Sequence, residues 1–126
     1  MATGRISWTD LTVADATSIR DFYSAVVGWR SEDVDMGGYT DFGMVPSGEA
    51  DAVAGICHAR GQNAEIPPVW LVYISVENLV ASLDEATKLG ATVIDGPRMA
   101  EEGVGFAVIR DPAGAVCALY QEAPGR

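Results

Sequence analysis

Side chains able to do acid–base, nucleophilic or metal chemistry are few in this sequence. His58 is the only histidine, and Cys57 and Cys117 are the only cysteines among 126 residues. A catalytic cysteine wants a basic neighbour that lowers its pKa, and Cys57 directly precedes His58. Adjacent residues on a strand point to opposite faces, so these two do not form a dyad. Both cysteines lie in apolar runs, Ala54-Gly55-Ile56-Cys57 and Ala115-Val116-Cys117-Ala118-Leu119, and read as small buried hydrophobes. Two cysteines are also too few for a disulfide framework. A Ser-His-Asp set would have to use His58, whose neighbours give it no support. Gly103-Val104-Gly105 follows Glu101-Glu102 and opens no helix, so it is not a phosphate loop. Arg98 and Arg110 are rare positive charges and read as surface ion-pair partners.

What remains is an excess of carboxylates and a set of aromatic rings. Eighteen Asp and Glu stand against eight Lys and Arg, a formal net charge of −10. Nucleic acid needs Lys and Arg on its phosphates, so it is excluded as a partner, and anionic membranes are disfavoured. No apolar run approaches the roughly 18 residues of a membrane span. The start, Met1-Ala2-Thr3-Gly4-Arg5, carries no apolar signal core, and a soluble cytoplasmic protein is expected. The hydrophobic fraction of 48% is ample for a core, so this is no disordered acidic tail.

The elements that must position these residues repeat. Leu11-Thr12-Val13-Ala14-Asp15 is matched 63 positions on by Ile74-Ser75-Val76-Glu77-Asn78. Each run is a strand-like alternation ending in an Asx residue, then a helical pattern, then a glycine. The first helix is expected over about Ala16 to Val27, with Ile19, Phe22, Tyr23, Val26 and Val27 as one apolar stripe. Asp15 or Thr17 caps it and Gly28 ends it. The second is expected over about Leu79 to Leu89, with the stripe Leu79, Leu83, Ala86 and Leu89, the cap Asn78 and the stop Gly90. Strands are expected over Trp29–Asp35, Tyr39–Val45 and Ala52–Ala59 in the first half. In the second they are expected over Thr92–Asp95, Gly105–Arg110 and Ala115–Gln121. The expected order is therefore a βαβββ module over about residues 1–60, a Pro-containing linker over 61–68, and a second βαβββ module over about 69–126. Neither half buries its own sheet face in about 60 residues, so the two are expected to pair within a single domain.

This duplication resembles the vicinal oxygen chelate superfamily, which includes glyoxalases, extradiol dioxygenases and bleomycin-resistance proteins. The resemblance covers nearly the whole chain. Its first signature is Leu11-x-Val13-x-Asp15, Asp21-Phe22-Tyr23 and Val27-Gly28-Trp29; its second is the turn Asp111-Pro112-Ala113-Gly114. It implies an α+β fold in which two paired βαβββ modules form a curved mixed sheet around a cleft. It also implies a divalent metal held from the first and last strands of each module. Carried over by position, those ligands fall on Trp8, Gly55, Leu71 and Ala118. None has a metal-binding side chain. The fold is therefore expected without the family's usual metal and without any other cofactor. The parity of His58 differs from that of Gly55, which turns its ring away from the cleft.

Strand parity then gives the cleft lining. If Trp8 faces inward, so do Asp10 and Thr12, while Leu11 and Val13 pack on the helix. Leu71, Tyr73 and Ser75 share the inward face of the matching strand, and Val72, Ile74 and Val76 the helix face. Val116, Ala118 and Tyr120 face inward on the last strand, with Phe106 and Val108 beside them. Tyr39, Asp41 and Met44 lie on a strand that reaches the cleft in this fold. Trp70 falls on either face, depending on a bulge. The lining is aromatic and apolar with a few polar groups, as in small-molecule sites. Asp10 is either a general base or holder of a cationic group, or an exposed carboxylate at the mouth.

Three functions are compatible with this lining. The first is a metal-independent binding protein, homodimeric, that takes a cationic or aromatic small molecule. The second is a lyase, isomerase or other glyoxalase-type enzyme with an atypical site, either a metal held by residues elsewhere in the chain or chemistry resting on Asp10 and a tyrosine. The third is a non-catalytic dimeric interaction module. The resemblance leaves open whether the cleft forms within one chain or across a swapped dimer.

Overall fold

The computed structural model describes residues 3–122. Strand β1 (Ile6–Val13), helix α1 (Ala16–Val27) and strands β2 (Arg30–Asp35), β3 (Thr40–Val45) and β4 (Ala54–His58) come first. After a short 3-10 turn at Gly61–Asn63 the same order returns as β5 (Trp70–Ser75), α2 (Leu79–Lys88), β6 (Thr92–Met99), β7 (Gly105–Arg110) and β8 (Val116–Gln121).

Both helices begin and end where local chemistry dictates. The Asp15 side chain accepts the Ser18 N–H at 3.1 Å, and Asn78 accepts the Ala81 N–H at 3.0 Å. Each satisfies a backbone donor that the first helical turn leaves without an intrahelical partner. The hydrogen bonds from Ser18 also hold the Asp15 carboxyl below its ordinary value. Gly28 closes α1 at φ 80°, a left-handed conformation that a side chain would strain.

The chain divides into two compact units, one from Thr9 to Trp70, the other from Leu71 onward together with the residues up to Trp8. This differs from the expected division into residues 1–60 and 69–126. The reason lies in the first residues, which are tied to the end of β5. The Gly4 N–H donates to the Ser75 carbonyl at 2.7 Å and the Ser75 N–H to the Arg5 carbonyl at 2.8 Å.

In the Thr9–Trp70 unit the strand order is β2-β3-β4-β1, with β1 and β4 parallel and the other neighbours antiparallel. Phe42, Met44, Ile56 and Ala16 form its core, with Val13, Ile19, Tyr23, Trp29 and Trp70 packed against them. The helix stripe does not bury as expected. Phe22 is 53% exposed and Val26 61%, and Val27 is also exposed. Helix α1 docks through Ala16, Ile19 and Tyr23, which turns the rest of its apolar stripe to solvent.

In the other unit the order is β5-β8-β7-β6, with β5 and β8 parallel. Leu79, Leu83, Ala107 and Ile109 form the core, with Val76, Val93, Cys117 and Leu119 against it. Burying each large aliphatic side chain there is worth about 1.5–3 kcal/mol. Leu89, expected in the α2 stripe, is exposed because the helix ends at Lys88. The Gln121 side chain completes the α2 start: its Oε1 accepts the Leu79 N–H at 2.6 Å, and its Nε2 donates to the Gly103 carbonyl at 2.6 Å. Strand β6 runs four residues past its expected end at Asp95, through the cis Gly96–Pro97 bond. An outer strand tolerates a proline because its N–H is not needed for a ladder on both sides.

Candidate functional site

In each unit one sheet face carries the helix and the other, the open face, does not. In the Thr9–Trp70 unit, Thr12 pairs with Cys57 and Asp10 with Gly55. Asp41, one residue before the Phe42–Ile56 pair, falls opposite Cys57 on the same face. Thr12 and Asp41 are buried and Asp10 half-buried. The Asp41 carboxylate accepts the His58 backbone N–H at 2.9 Å. Burial, the Asp10 and Asp41 charges and a hydrogen bond to Asp41 push the Cys57 thiol well above its ordinary range. Such a thiol is a proton donor and not a nucleophile.

His58 lies on the helix-bearing face, as its parity implied: its Nδ1 accepts the Ala16 N–H at 3.5 Å. Tyr39 goes with it and not with Asp10 and Thr12. It precedes β3, so strand parity does not bind it. Its ring lies 6.0 Å from His58 and 4.0 Å below the Arg60 guanidinium. Trp70 also lies on the helix-bearing face. Its indole N–H donates to the Tyr23 hydroxyl at 3.2 Å, and its ring meets Tyr23 at 5.3 Å and Trp29 at 5.9 Å. Tyr39 and Trp70 therefore stand apart from the other residues singled out from sequence in this unit.

In the other unit the register brings the expected residues onto one open face. Tyr73 pairs with Ala118 and Ser75 with Tyr120; Phe106 pairs with Tyr120 and Val108 with Ala118. The Tyr73 and Phe106 rings are 6.2 Å apart. Leu71, Ala118 and Val108 are sealed, at 1%, 0% and 0% exposure. Ser75 is buried, and its Oγ accepts the Arg5 N–H at 3.0 Å, which makes it a tie to the N-terminal residues. Trp8 is half-buried.

Three residues on these faces had no place in the sequence-derived lining. Cys57 reads as a plain hydrophobe until its register beside Thr12 is known. Arg98 pairs with Phe106 across the sheet and lies over its ring at 5.5 Å. Its Nη2 donates to both Asp95 carboxylate oxygens, at 2.9 and 2.7 Å. The spacing Asp95-x-x-Arg98 is the signal that could have joined this pair.

Residues 5–119 match the family model described as Glyoxalase/Bleomycin resistance protein/Dioxygenase superfamily. The chain belongs to this superfamily. Anthracycline biosynthesis protein DnrV of Streptomyces peucetius is 30% identical over 137 residues, covering 96% of this chain and 48% of that protein. The Mycobacterium tuberculosis protein named "Putative glyoxylase CFP32" is 28% identical over 119 residues, covering 94% of this chain and 46% of its own. The chain thus spans about half the length of the curated relatives it matches. Among solved structures, Mycobacterium tuberculosis methylmalonyl-CoA epimerase superposes with a TM-score of 0.53 at 17% identity, covering 98% of this chain and 93% of that one. At that identity the likeness shows the fold alone.

The superfamily resemblance implies a divalent metal, and this superfamily member does not offer it ligands at the matching positions. Trp8, Gly55, Leu71 and Ala118 contribute no donor atom from their side chains, and Leu71 and Ala118 are sealed against neighbours. Among the described residues no group of three or more His, Cys, Asp or Glu side chains is placed to hold a metal ion. Also among them, no helix is long and apolar enough to cross a membrane.

Proposed function

We propose that this chain binds a small organic molecule, aromatic or cationic, without the divalent metal its superfamily commonly uses. The observation that carries the reading is the open face of the unit beginning at Leu71. There the Tyr73 and Phe106 rings stand 6.2 Å apart beside the sealed Val108 and Ala118. Rings supply contact area and a few polar groups fix orientation, the usual balance of a small-molecule site. Considered by itself, the Thr9–Trp70 unit carries Asp10, a half-buried carboxylate of the kind that attracts cationic groups. A relative named as an anthracycline biosynthesis protein supports an organic small molecule. The charge of −10 attracts cations at long range and leaves nucleic acid and anionic membranes outside the partners. The same reading places the protein in the cytoplasm, where free thiols such as Cys57 and Cys117 persist.

The test is a thermal-shift series with neutral and cationic aromatic molecules on wild type and Trp8→Ala, beside elemental analysis of protein purified without chelator. The reading expects stabilisation without turnover, weaker in Trp8→Ala, and no stoichiometric metal. Equal binding by Trp8→Ala removes Trp8 from the site, and a stoichiometric divalent ion sinks the metal-independent reading.

The placement of Asp10 favours a second reading, a glyoxalase-type lyase or isomerase in which Asp10 is the general base. Turnover abolished by Asp10→Asn with ligand binding retained would select it. For assembly, the exposed Phe22, Val26 and Val27 of α1 support a homodimer, a second copy covering that stripe. The doubled length of the curated relatives fits a partner of this chain's own kind. Sedimentation of Val26→Glu as a smaller species than wild type is the expected outcome; a monomeric wild type overturns the dimer.

A further inference from the structure

The hairpin joining β6 and β7 carries a pocket that the sequence-derived lining touches only through Phe106. It is an open depression of about 340 Å³ lined by Arg98, Met99, Ala100, Val104, Gly105 and Phe106. That volume suits a molecule of two or three fused rings. Its walls are apolar apart from one charged side chain, Arg98. Close packing shapes the pocket at Gly105, where an added Cβ would overlap the Met99 sulfur. Phe106 and Arg98, paired across β6 and β7, present a ring and a guanidinium on one face of the sheet, whereas Met99, paired with Gly105, turns to the other.

Arg98 is unusually fixed for an arginine. Its Nε donates to Asp95 Oδ1 at 3.3 Å and its Nη2 to both oxygens, at 2.9 and 2.7 Å. Its guanidinium carbon lies 5.5 Å from the Phe106 ring centroid. This side-on clamp uses the Nε and Nη2 edge, so the planar fork turns the N–H groups of Nη1 away from Asp95. A donor already held in place gives up less rotamer freedom when a ligand arrives. Asp95 also offsets the arginine charge, and the chain as a whole carries −10. Both features favour a neutral oxygen acceptor over a multiply charged anion.

We propose that Arg98 is the specificity-determining donor of this pocket, and that the ligand is a flat aromatic molecule bearing a carbonyl or phenolic oxygen on its edge. The ring lies against Phe106 and the oxygen accepts from Arg98 Nη1. Tyr73, 6.2 Å beyond Phe106, extends the same aromatic surface. The assignment rests on the small-molecule reading above and gives it a ligand class.

Coumarin and naphthalene are matched two-ring probes, and only coumarin carries oxygen acceptors. Each is titrated against wild type, Arg98→Met, Arg98→Lys and Asp95→Asn by NMR, following the Phe106 ring signals in all four and the Arg98 Nε–H in wild type and Asp95→Asn. Wild type is expected to bind coumarin about tenfold more tightly than naphthalene, the worth of one charge-assisted hydrogen bond. Arg98→Met should bind both equally. Arg98→Lys keeps the charge, loses the fork and should lose most of the preference, which covers the case in which Arg98→Met does not fold. Asp95→Asn should weaken the preference by loosening the clamp. Naphthalene binding at Phe106 with no coumarin preference in wild type, or with the preference intact in Arg98→Met, overturns the role of Arg98 and leaves the ligand-binding reading standing. No Phe106 response to either probe, up to their solubility limits, overturns this pocket. The thermal-shift series on Trp8→Ala then judges the wider reading separately.

Discussion

The Asp41 carboxylate holds the backbone of His58, accepting its N–H at 2.9 Å from a position only 5% exposed to solvent. The same carboxylate is the hydrogen-bond partner of the Cys57 thiol. One buried side chain therefore satisfies two consecutive residues of β4 from the neighbouring strand. Removing it leaves a half-buried N–H and a half-buried thiol without that acceptor. Asp41→Ala is expected to cost about 1–3 kcal/mol, whereas Asp41→Asn keeps an acceptor oxygen and costs less. Urea denaturation of the two variants measures this; an Asp41→Ala protein as stable as wild type would remove the carboxylate from the fold's support.

The Cys57 thiol makes stability depend on alkaline pH. Its folded pKa lies above the ordinary value of 9.0, through burial first and then the charges of Asp10 and Asp41. Above about pH 9 the unfolded chain releases this proton while the folded chain keeps it. The contribution is full below that pH and is lost as the pH rises further. Wild type should lose stability more steeply than Cys57→Ala between about pH 8 and 10.5. Urea midpoints across that range provide the check, and parallel curves would contradict the buried, carboxylate-bonded thiol.

Tyr23 and Trp70 tie α1 to the chain just before the second unit. Tyr23→Phe keeps the ring and its contacts at 5.3 and 5.9 Å to Trp70 and Trp29, and removes only the acceptor of the indole N–H. The expected loss is about 0.5–1.5 kcal/mol, with a shift of tryptophan emission. If neither stability nor emission changes, the hydrogen bond does not form in solution.

These features differ in how far they could be read from the residues. The bounds of α1 were legible because Asp15 and Gly28 are local signals at both ends. The face shared by Tyr73, Ser75, Ala118 and Tyr120 was legible because parity is reliable inside regular strands. It does not extend beyond a strand, which is why Tyr39, just before β3, sits on the helix-bearing face, whereas Trp70 keeps the parity of Val72 and Ile74. Periodicity also shows that α1 has an apolar stripe and not what covers it, so Phe22, Val26 and Val27 were expected inside. The pairing of Arg98 with Phe106 depends on register shifts in β6 between Val93 and Asp95 and between Asp95 and Arg98. No sequence period encodes such irregularities. The superfamily likeness was legible early, because the duplicated strand and helix order and the Asp111-Pro112-Ala113-Gly114 turn are local signals.

Gly105 gives the last prediction, since it is fixed by packing and not by backbone angle. A Cβ there would overlap the Met99 sulfur and lie 2.9 Å from the Arg98 carbonyl oxygen. The sulfur ends a flexible side chain and can move aside; the carbonyl belongs to the β6 backbone and moves only with the strand. Gly105→Ala should therefore destabilise by about 1–3 kcal/mol, the usual range for overpacking. Met99→Ala in the same chain should recover part of that loss and not all, because the carbonyl contact persists. A thermal-denaturation cycle over the two single variants and the double variant measures the coupling. Purely additive losses would mean that Met99 does not lie over Gly105.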